Sequence, residues 1–277
     1  VINIKGDVDM NLKFRRKLLS LVLMSILSVT LISCGEKKSE SSLEKEKLVL
    51  GFDDTFVPMG FKDENAEYTG FDIDLAKEIE KKLGKEIEFQ PIDWSMKETE
   101  LNSGNIDFIW NGYSVTEERK EKVEFSISYL NNRQVIITLA DSKINTKADL
   151  KGAVVGAQNQ SSAVDAIEAD DDIISTFKDG KVVTFDTNNE ALMDLEAGRL
   201  DAVVADEILA KYYINQRGAD KYKVLDEDFG SEAYAVGMRK DDKELVEAFN
   251  KAFKELIDEG KAGEISKKWF GEDIIAK

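Results

Sequence analysis

From Leu48 onward the chain alternates two hydrophobic rhythms. Short apolar runs stand at "LVLGF" (48–52), "EIEFQPI" (86–92), "IDFIW" (106–110), "AVVGA" (153–157), "KVVTF" (181–185) and "DAVVA" (201–205). Between them lie longer stretches with helical spacing. Phe71, Leu75, Ile79 and Leu83 recur every fourth residue, the signature of one helix face, and Gly84 is placed to end that helix. Leu245, Phe249, Ala252, Phe253 and Leu256 form a second stripe, predicting a helix from about Lys243 to Glu259. Gly260 breaks it, and a short helix ending near Trp269 follows. Before that stripe, "AYAVGMRK" (233–240) reads as an extended segment able to cross back to the first half of the chain. Strands that alternate with helices predict an α/β fold with mainly parallel sheets.

One unit occurs twice. "LNSGNIDFIWNG" (101–112) matches "LEAGRLDAVVAD" (195–206) in its helix-ending leucine, its glycine, its Ile-Asp or Leu-Asp pair and its apolar run. A glycine there supplies the left-handed turn that closes a helix and releases the chain into a sheet. The repeat predicts two similar lobes. Ligands of α/β sheets collect beyond the carboxyl ends of strands, which here are Asn111-Gly112 and Asp206.

Composition narrows the chemistry. With 277 residues and 42% hydrophobic content the chain can build proper cores. A formal charge of −17 argues against a nucleic-acid partner, which requires clustered lysine and arginine. There is no histidine and a single cysteine, so the commonest general base, a thiolate metal cluster and an internal disulfide are all missing. No metal or cofactor is expected. The cysteine lies at the end of "NLKFRRKLLSLVLMSILSVTLISC", where Lys13, Arg15, Arg16 and Lys17 precede an apolar run from Leu18 to Ile32. That order reads as a secretory signal over 1–33. "LISC" resembles a bacterial lipobox, with Ile32 bulkier than usual and Cys34 placed to receive a lipid. The alternative is an uncleaved anchor helix. The polar "GEKKSESSLEKEK" that follows reads as a flexible tether over 34–45, giving a body held by lipid at the outer face of a cell membrane.

At the first strand end, Gly112 opens the backbone, Ser114 offers a hydroxyl, and Thr116 is a helix N-cap with Glu117 and Glu118 behind it. Arg119 falls on that first turn, where its fork matches a carboxylate. The competing reading is a surface arginine paired with Glu118 or Glu121. In the second half, Ser161 and Ser162 precede a helix, with Asp165 at the capping-box position for Ser162; a helix start also suits an anion. Asp206 would receive an ammonium or cap the helix starting near Glu207. Together these groups fit a zwitterion.

The strings "LGFDDTFVPMGFKDEN", "YTGFDIDLAKEIEKKLG", "FQPIDW", "SGNIDFIWNGYSVTEERKEKVEFSISY" and "AGRLDAVVAD", in that order, resemble the polar amino-acid-binding lipoproteins of bacterial ABC importers, the extracellular solute-binding proteins of family 3. The resemblance implies a type II periplasmic-binding-protein fold: two α/β lobes, 46–133 plus 236–277 and 134–235, joined by crossings near Asn131–Ile137 and Tyr234–Met238. It implies Arg119 with Ser162 on a carboxylate, and Asp206 with Gly112 and Ser114 on an ammonium. Asp53, Phe56 and Trp94 then face the ligand side chain. Asn111 and Gln158 complete the expected site. Gln160 and Ala66 stand where the family pattern favours glycine, and Met59 where it favours phenylalanine. Phe56, Trp94 and Asp53 favour a basic side chain, with glutamine or cystine as alternatives. The implied partners are a free L-amino acid, an ABC permease and its ATPase subunits, with the binding protein a monomer. An enzyme on the same scaffold, such as a cyclohexadienyl dehydratase, would need Asp53 as acid or base. A sensory or adhesive lipoprotein is a further class.

Overall fold

A computed structural model describes residues 41–276. The signal and lipidation readings at residues 1–34 lie outside the described residues. Of the segment read as tether, Ser41–Lys45 are docked on the body. The Ser41 hydroxyl and the Ser42 amide both donate to Asp242, and Lys45 pairs with Asp107 at 2.6 Å. No helix among the described residues is long and apolar enough to cross a membrane.

Two five-stranded sheets form the frame. The first runs Glu86–Pro91, Lys47–Phe52, Phe108–Ile109, Gly237–Met238, Glu124–Phe125. The second runs Val183–Phe185, Val155–Gln158, Ala202–Asp206, Leu130–Leu139, Tyr222–Tyr234. In both, the first three strands are parallel and the last two are added antiparallel. The expectation of mainly parallel sheets thus holds for the strand–helix part of each. The antiparallel half consists of strands near the two crossings: Gly237–Met238 and Leu130–Leu139 run back against the rest, and Glu124–Phe125 and Tyr222–Tyr234 each pair antiparallel with them.

The repeated unit occupies the third position of each sheet and is built alike. Asp107 accepts the backbone N–H of Val49, in the neighbouring strand, at 3.0 Å, and Asp201 that of Val154, just before its neighbouring strand, at 2.8 Å. Gly104 and Gly198 precede them at φ +81° and +68°. The repeat is therefore structural as well as textual: a left-handed turn, then an acid that locks the strand to its neighbour.

Leu130–Asn132 pairs antiparallel with Glu232–Tyr234 and forms a two-stranded ribbon where the chain passes from one sheet to the other. A small three-stranded sheet, Thr55–Phe56, Gly60–Lys62 and Tyr68–Thr69, was not anticipated; its strands are too short to show a period. The helix Phe71–Leu83 ends at Gly84 in the left-handed conformation, as its spacing predicts. The helix Lys243–Asp258 buries Leu245, Phe249, Ala252, Phe253 and Leu256. Trp110, fully buried, meets Phe249 edge-on at 5.1 Å. Burying each such aromatic contributes roughly 1.5–3 kcal/mol and pins the residue just before Asn111-Gly112.

Candidate functional site

The loop after Phe108–Ile109 is held from below by a single acid. Asp72, on the first turn of the helix Phe71–Leu83, accepts the Gly112 N–H at 2.8 Å and the Tyr129 hydroxyl at 2.9 Å, both on Oδ2. Burial pushes its carboxyl up to about 7, against the pull of those donors. Gly112 itself has φ +60°, and a Cβ there would stand 2.8 Å from Phe56 Cε1 and 3.1 Å from the Tyr234 ring. The open backbone anticipated at this position is a steric requirement.

Arg119 is buried. Thr116 caps its helix by accepting the Arg119 N–H at 3.2 Å. The guanidinium lies over the Tyr113 ring, 4.7 Å from its centre, and donates to the carbonyls of Ser114 at 3.1 Å and Gln160 at 3.3 Å. Its nearest acid is Glu98, with Nε 4.0 Å away. Glu118 instead pairs with Lys122, so the surface-pair reading of Arg119 fails. Lys97 joins it, donating to Gln160 O at 3.1 Å; burial, reinforced by the Arg119 charge, pulls this ammonium down to about 8. Gln160, at φ +52°, holds a conformation that glycine adopts more easily.

Ser161, not Ser162, caps the next helix, accepting the Val164 N–H at 3.4 Å. The expected capping box on Ser162 does not form: the cap falls on Ser161, whose third helical position is Val164 rather than an acid. That leaves the Ser162 hydroxyl free to meet Ser114 Oγ at 3.0 Å. Asp206 sits at the N-cap of Glu207–Arg217 but makes no capping hydrogen bond with its side chain. Its Oδ1 accepts from Asn132 Nδ2 at 2.6 Å, Gln134 Nε2 at 3.0 Å and the Tyr234 hydroxyl. Burial and then the charge of Glu232 raise its carboxyl to about 7.

Asp53 is buried, and among the described residues its donors are neutral: Thr55 N–H at 2.9 Å and hydroxyl at 2.6 Å on Oδ1, and Gln158 Nε2 at 2.8 Å on Oδ2. Burial raises this carboxyl too. Asn111 Oδ1 accepts the Asp53 N–H at 3.1 Å. Asn188 donates to Gln158 Oε1 at 2.8 Å, fixing the orientation of that amide. Trp94 stands edge-on to Tyr113 at 5.9 Å.

Nine of the ten sequence-derived candidates line one small cavity, with Ser161 added. Asp53 stands outside the lining set, bonded to Gln158. Sequence reasoning missed Asp72, Asn132, Gln134, Glu232 and Tyr234. A signal existed for some: Asn132 and Gln134 alternate with Arg133, which turns to the other face and pairs with Glu207 at 2.8 Å and Asp228 at 3.0 Å. Among the described residues no cluster of potential metal ligands is present.

Known proteins share this architecture. A profile described as "Bacterial extracellular solute-binding proteins, family 3" matches residues 48–272. The arginine-binding extracellular protein ArtP of Bacillus subtilis is 33% identical over 256 residues, 92% of this chain and 98% of that protein. The L-cystine-binding protein TcyJ of Escherichia coli is 29% identical over 261 residues, covering 91% and 96%. Among solved structures, a substrate-binding protein of an ABC uptake transporter from Streptococcus pneumoniae with bound histidine superposes with a TM-score of 0.83 at 45% identity, covering 85% of this chain and 96% of that one. These relatives are named as binding proteins, not enzymes. Two sheets of one plan, a ribbon between them and a match running almost from the first strand to the last helix lead to one assignment: the chain belongs to the bacterial extracellular solute-binding proteins, family 3.

Proposed function

We propose that this protein captures a free polar L-α-amino acid, preferably a basic one, and hands it to an ABC permease driven by separate ATPase subunits. It works as a monomer, held at the outer face of a cell membrane by lipid on Cys34. The observation that carries the reading is the placement of Arg119 and Asp206 on one cavity. Among the described residues Arg119 has two carbonyls and a ring against its guanidinium, with Glu98 at 4.0 Å. It retains donor capacity for a carboxylate. Asp206 has three neutral donors on Oδ1, leaving Oδ2 for an ammonium.

The preference for a cationic side chain rests on Asp53. It is a buried acid with no cation bonded to it among the described residues. Phe56 and Trp94, both in the lining, supply flat walls, and Trp94 adds a cation–π attraction of roughly 0.5–2 kcal/mol. The arginine-binding relative and the histidine-bound structure support a basic ligand. The Gln158 amide, fixed between Asp53 and Asn188, supports the alternative of a neutral polar side chain such as glutamine or cystine.

The lobes are 46–133 with 236–277, and 134–235, a division supported by the membership of the two sheets. Contacts from both lobes form together only in the closed shape, so ligand shifts the population toward it.

A calorimetric panel of arginine, lysine, histidine, glutamine and cystine tests this. One or more should bind with one site and micromolar affinity, about −8 kcal/mol. Arg119→Ala should abolish binding of every one. Asp53→Asn should weaken arginine and lysine while sparing glutamine. Flat traces across the panel would overturn the proposal, and unchanged lysine affinity in Asp53→Asn would overturn the basic preference.

A further inference from the structure

Beside Asp206 lies a second acid. Glu232 Oε1 accepts from Asn132 Nδ2 at 2.8 Å and from Gln134 Nε2 at 2.8 Å, the same two amides that donate to Asp206 Oδ1. It also accepts from two hydroxyls of the cavity lining, Ser114 Oγ at 2.7 Å and Ser162 Oγ at 3.3 Å. A single carboxylate oxygen is thus bonded to the strand end near Arg119, to a helix start on the second sheet and to the crossing strand.

Resting on the amino-acid reading, we propose that Glu232 is the second acid of the ammonium seat, acting with Asp206 as one two-carboxylate unit that gives up a bound proton when the ligand ammonium arrives.

The groups facing this pair are Asn132 and Gln134 from one crossing strand, Tyr234 from the other, and Ser114 and Ser162 from the two sides. All are neutral. Among the described residues no lysine or arginine forms an ion pair with either acid. Arg133 turns away to Glu207 and Asp228, and Arg119 is bonded to the carbonyls of Ser114 and Gln160. Asp206 is buried and shares its donors with a second, partly buried carboxylate, so its ionised form is disfavoured and it holds a proton near neutrality. This agrees with the raised carboxyl of Asp206, to which Glu232 contributes by charge. An ammonium supplies the missing positive charge. The proton then passes to buffer, and the ligand amine stays protonated.

The pair also implies selection. An α-amino acid brings the cation that releases the proton, whereas the α-keto acid of the same skeleton does not. Glu232 therefore favours the amino acid by charge, and does so from the ribbon at the crossing.

The test is titration calorimetry of L-arginine, L-histidine and L-glutamine into wild type, Glu232→Gln and Glu232→Asp, in phosphate and in Tris at pH 7. The two buffers differ in ionisation enthalpy, so the difference counts protons. Wild type should release a substantial fraction of a proton per ligand. Glu232→Gln should release less, bind about ten- to a hundred-fold more weakly, and show its loss of affinity at lower pH than wild type, since Asp206 has lost its like-charged neighbour. Glu232→Asp should recover part of the proton release. Melting of the unliganded variants reports folding separately. If wild type binds but releases no proton, or if Glu232→Gln lowers melting while proton count and pH profile stay unchanged, Glu232 only ties the ribbon and the proposal is overturned. If wild type binds none of the three, the amino-acid reading itself fails.

Discussion

The backbone N–H of Gly112 donates to the carboxylate of Asp72 at 2.8 Å, across 40 residues of sequence. The same oxygen receives the Tyr129 hydroxyl, from the chain just before the first crossing. One buried acid therefore sets the height of the Gly112 loop against the ribbon.

Removing that acid leaves two buried donors unpaired. Asp72→Ala should cost about 2–4 kcal/mol of stability and weaken ligand binding, since Gly112 loses its support. Asp72→Asn keeps an oxygen in place and should recover most of both. Urea denaturation and calorimetry of the two variants check this; equal damage from both would show that charge rather than hydrogen-bond acceptance matters here.

Gly112→Ala meets two penalties. Its φ of +60° disfavours any side chain by roughly 1–2 kcal/mol, and the new Cβ would lie 2.8 Å from Phe56. The expected result is a lower melting temperature and at least about tenfold weaker binding, because Phe56 must shift out of the lining. A variant that binds as wild type would mean that the loop tolerates a shift without effect on the cavity.

The pH dependence follows from Asp72 and Asp206, both raised from 3.8 to about 7. Between those values the folded protein holds protons that the unfolded chain does not. Ligand-free stability therefore rises as pH falls from above 7 toward 4, by up to about 1.4 kcal/mol per pH unit for each group. Over the same window ligand affinity falls, since an ammonium needs Asp206 ionised. Urea midpoints at pH 8 and pH 5.5 should show the ligand-free protein gaining stability on acidification while the increment added by ligand shrinks. Ligand-free midpoints that fall on acidification would contradict the burial of these acids.

Ala66 lies in an exposed turn at φ +64°, closed by the Asp63 N–H to Glu67 O bond at 3.0 Å. Ala66→Gly removes strain at the cost of some unfolded-chain entropy, and should stabilise by about 0.5–1 kcal/mol without changing affinity. Denaturation and calorimetry read the two effects apart.

The two positions where glycine was expected from the family pattern, Ala66 and Gln160, both turned out to have positive φ. The backbone has kept the conformation and the side chains tolerate it. That could be anticipated from sequence, as could the strands, the terminal stripe of Leu245 and Phe249, and the repeated Gly-x-x-Asp turn. All of these rest on local spacing, 3.6 or 2 residues per period, or on a turn that only glycine favours.

The sequence by itself determined the two α/β sheets of like plan and the cast of opposite charges, Arg119 and Asp206, because periodicity and residue type are local properties. Only the tertiary structure decided how those charges are held. It moved the cap from Ser162 to Ser161, withheld Asp206 from capping, joined Gln158 to Asp53 across 105 residues, and brought Glu232 beside Asp206. A hydrogen bond falls to whichever partner packing brings within reach, and partners so distant along the chain leave no period in it to read.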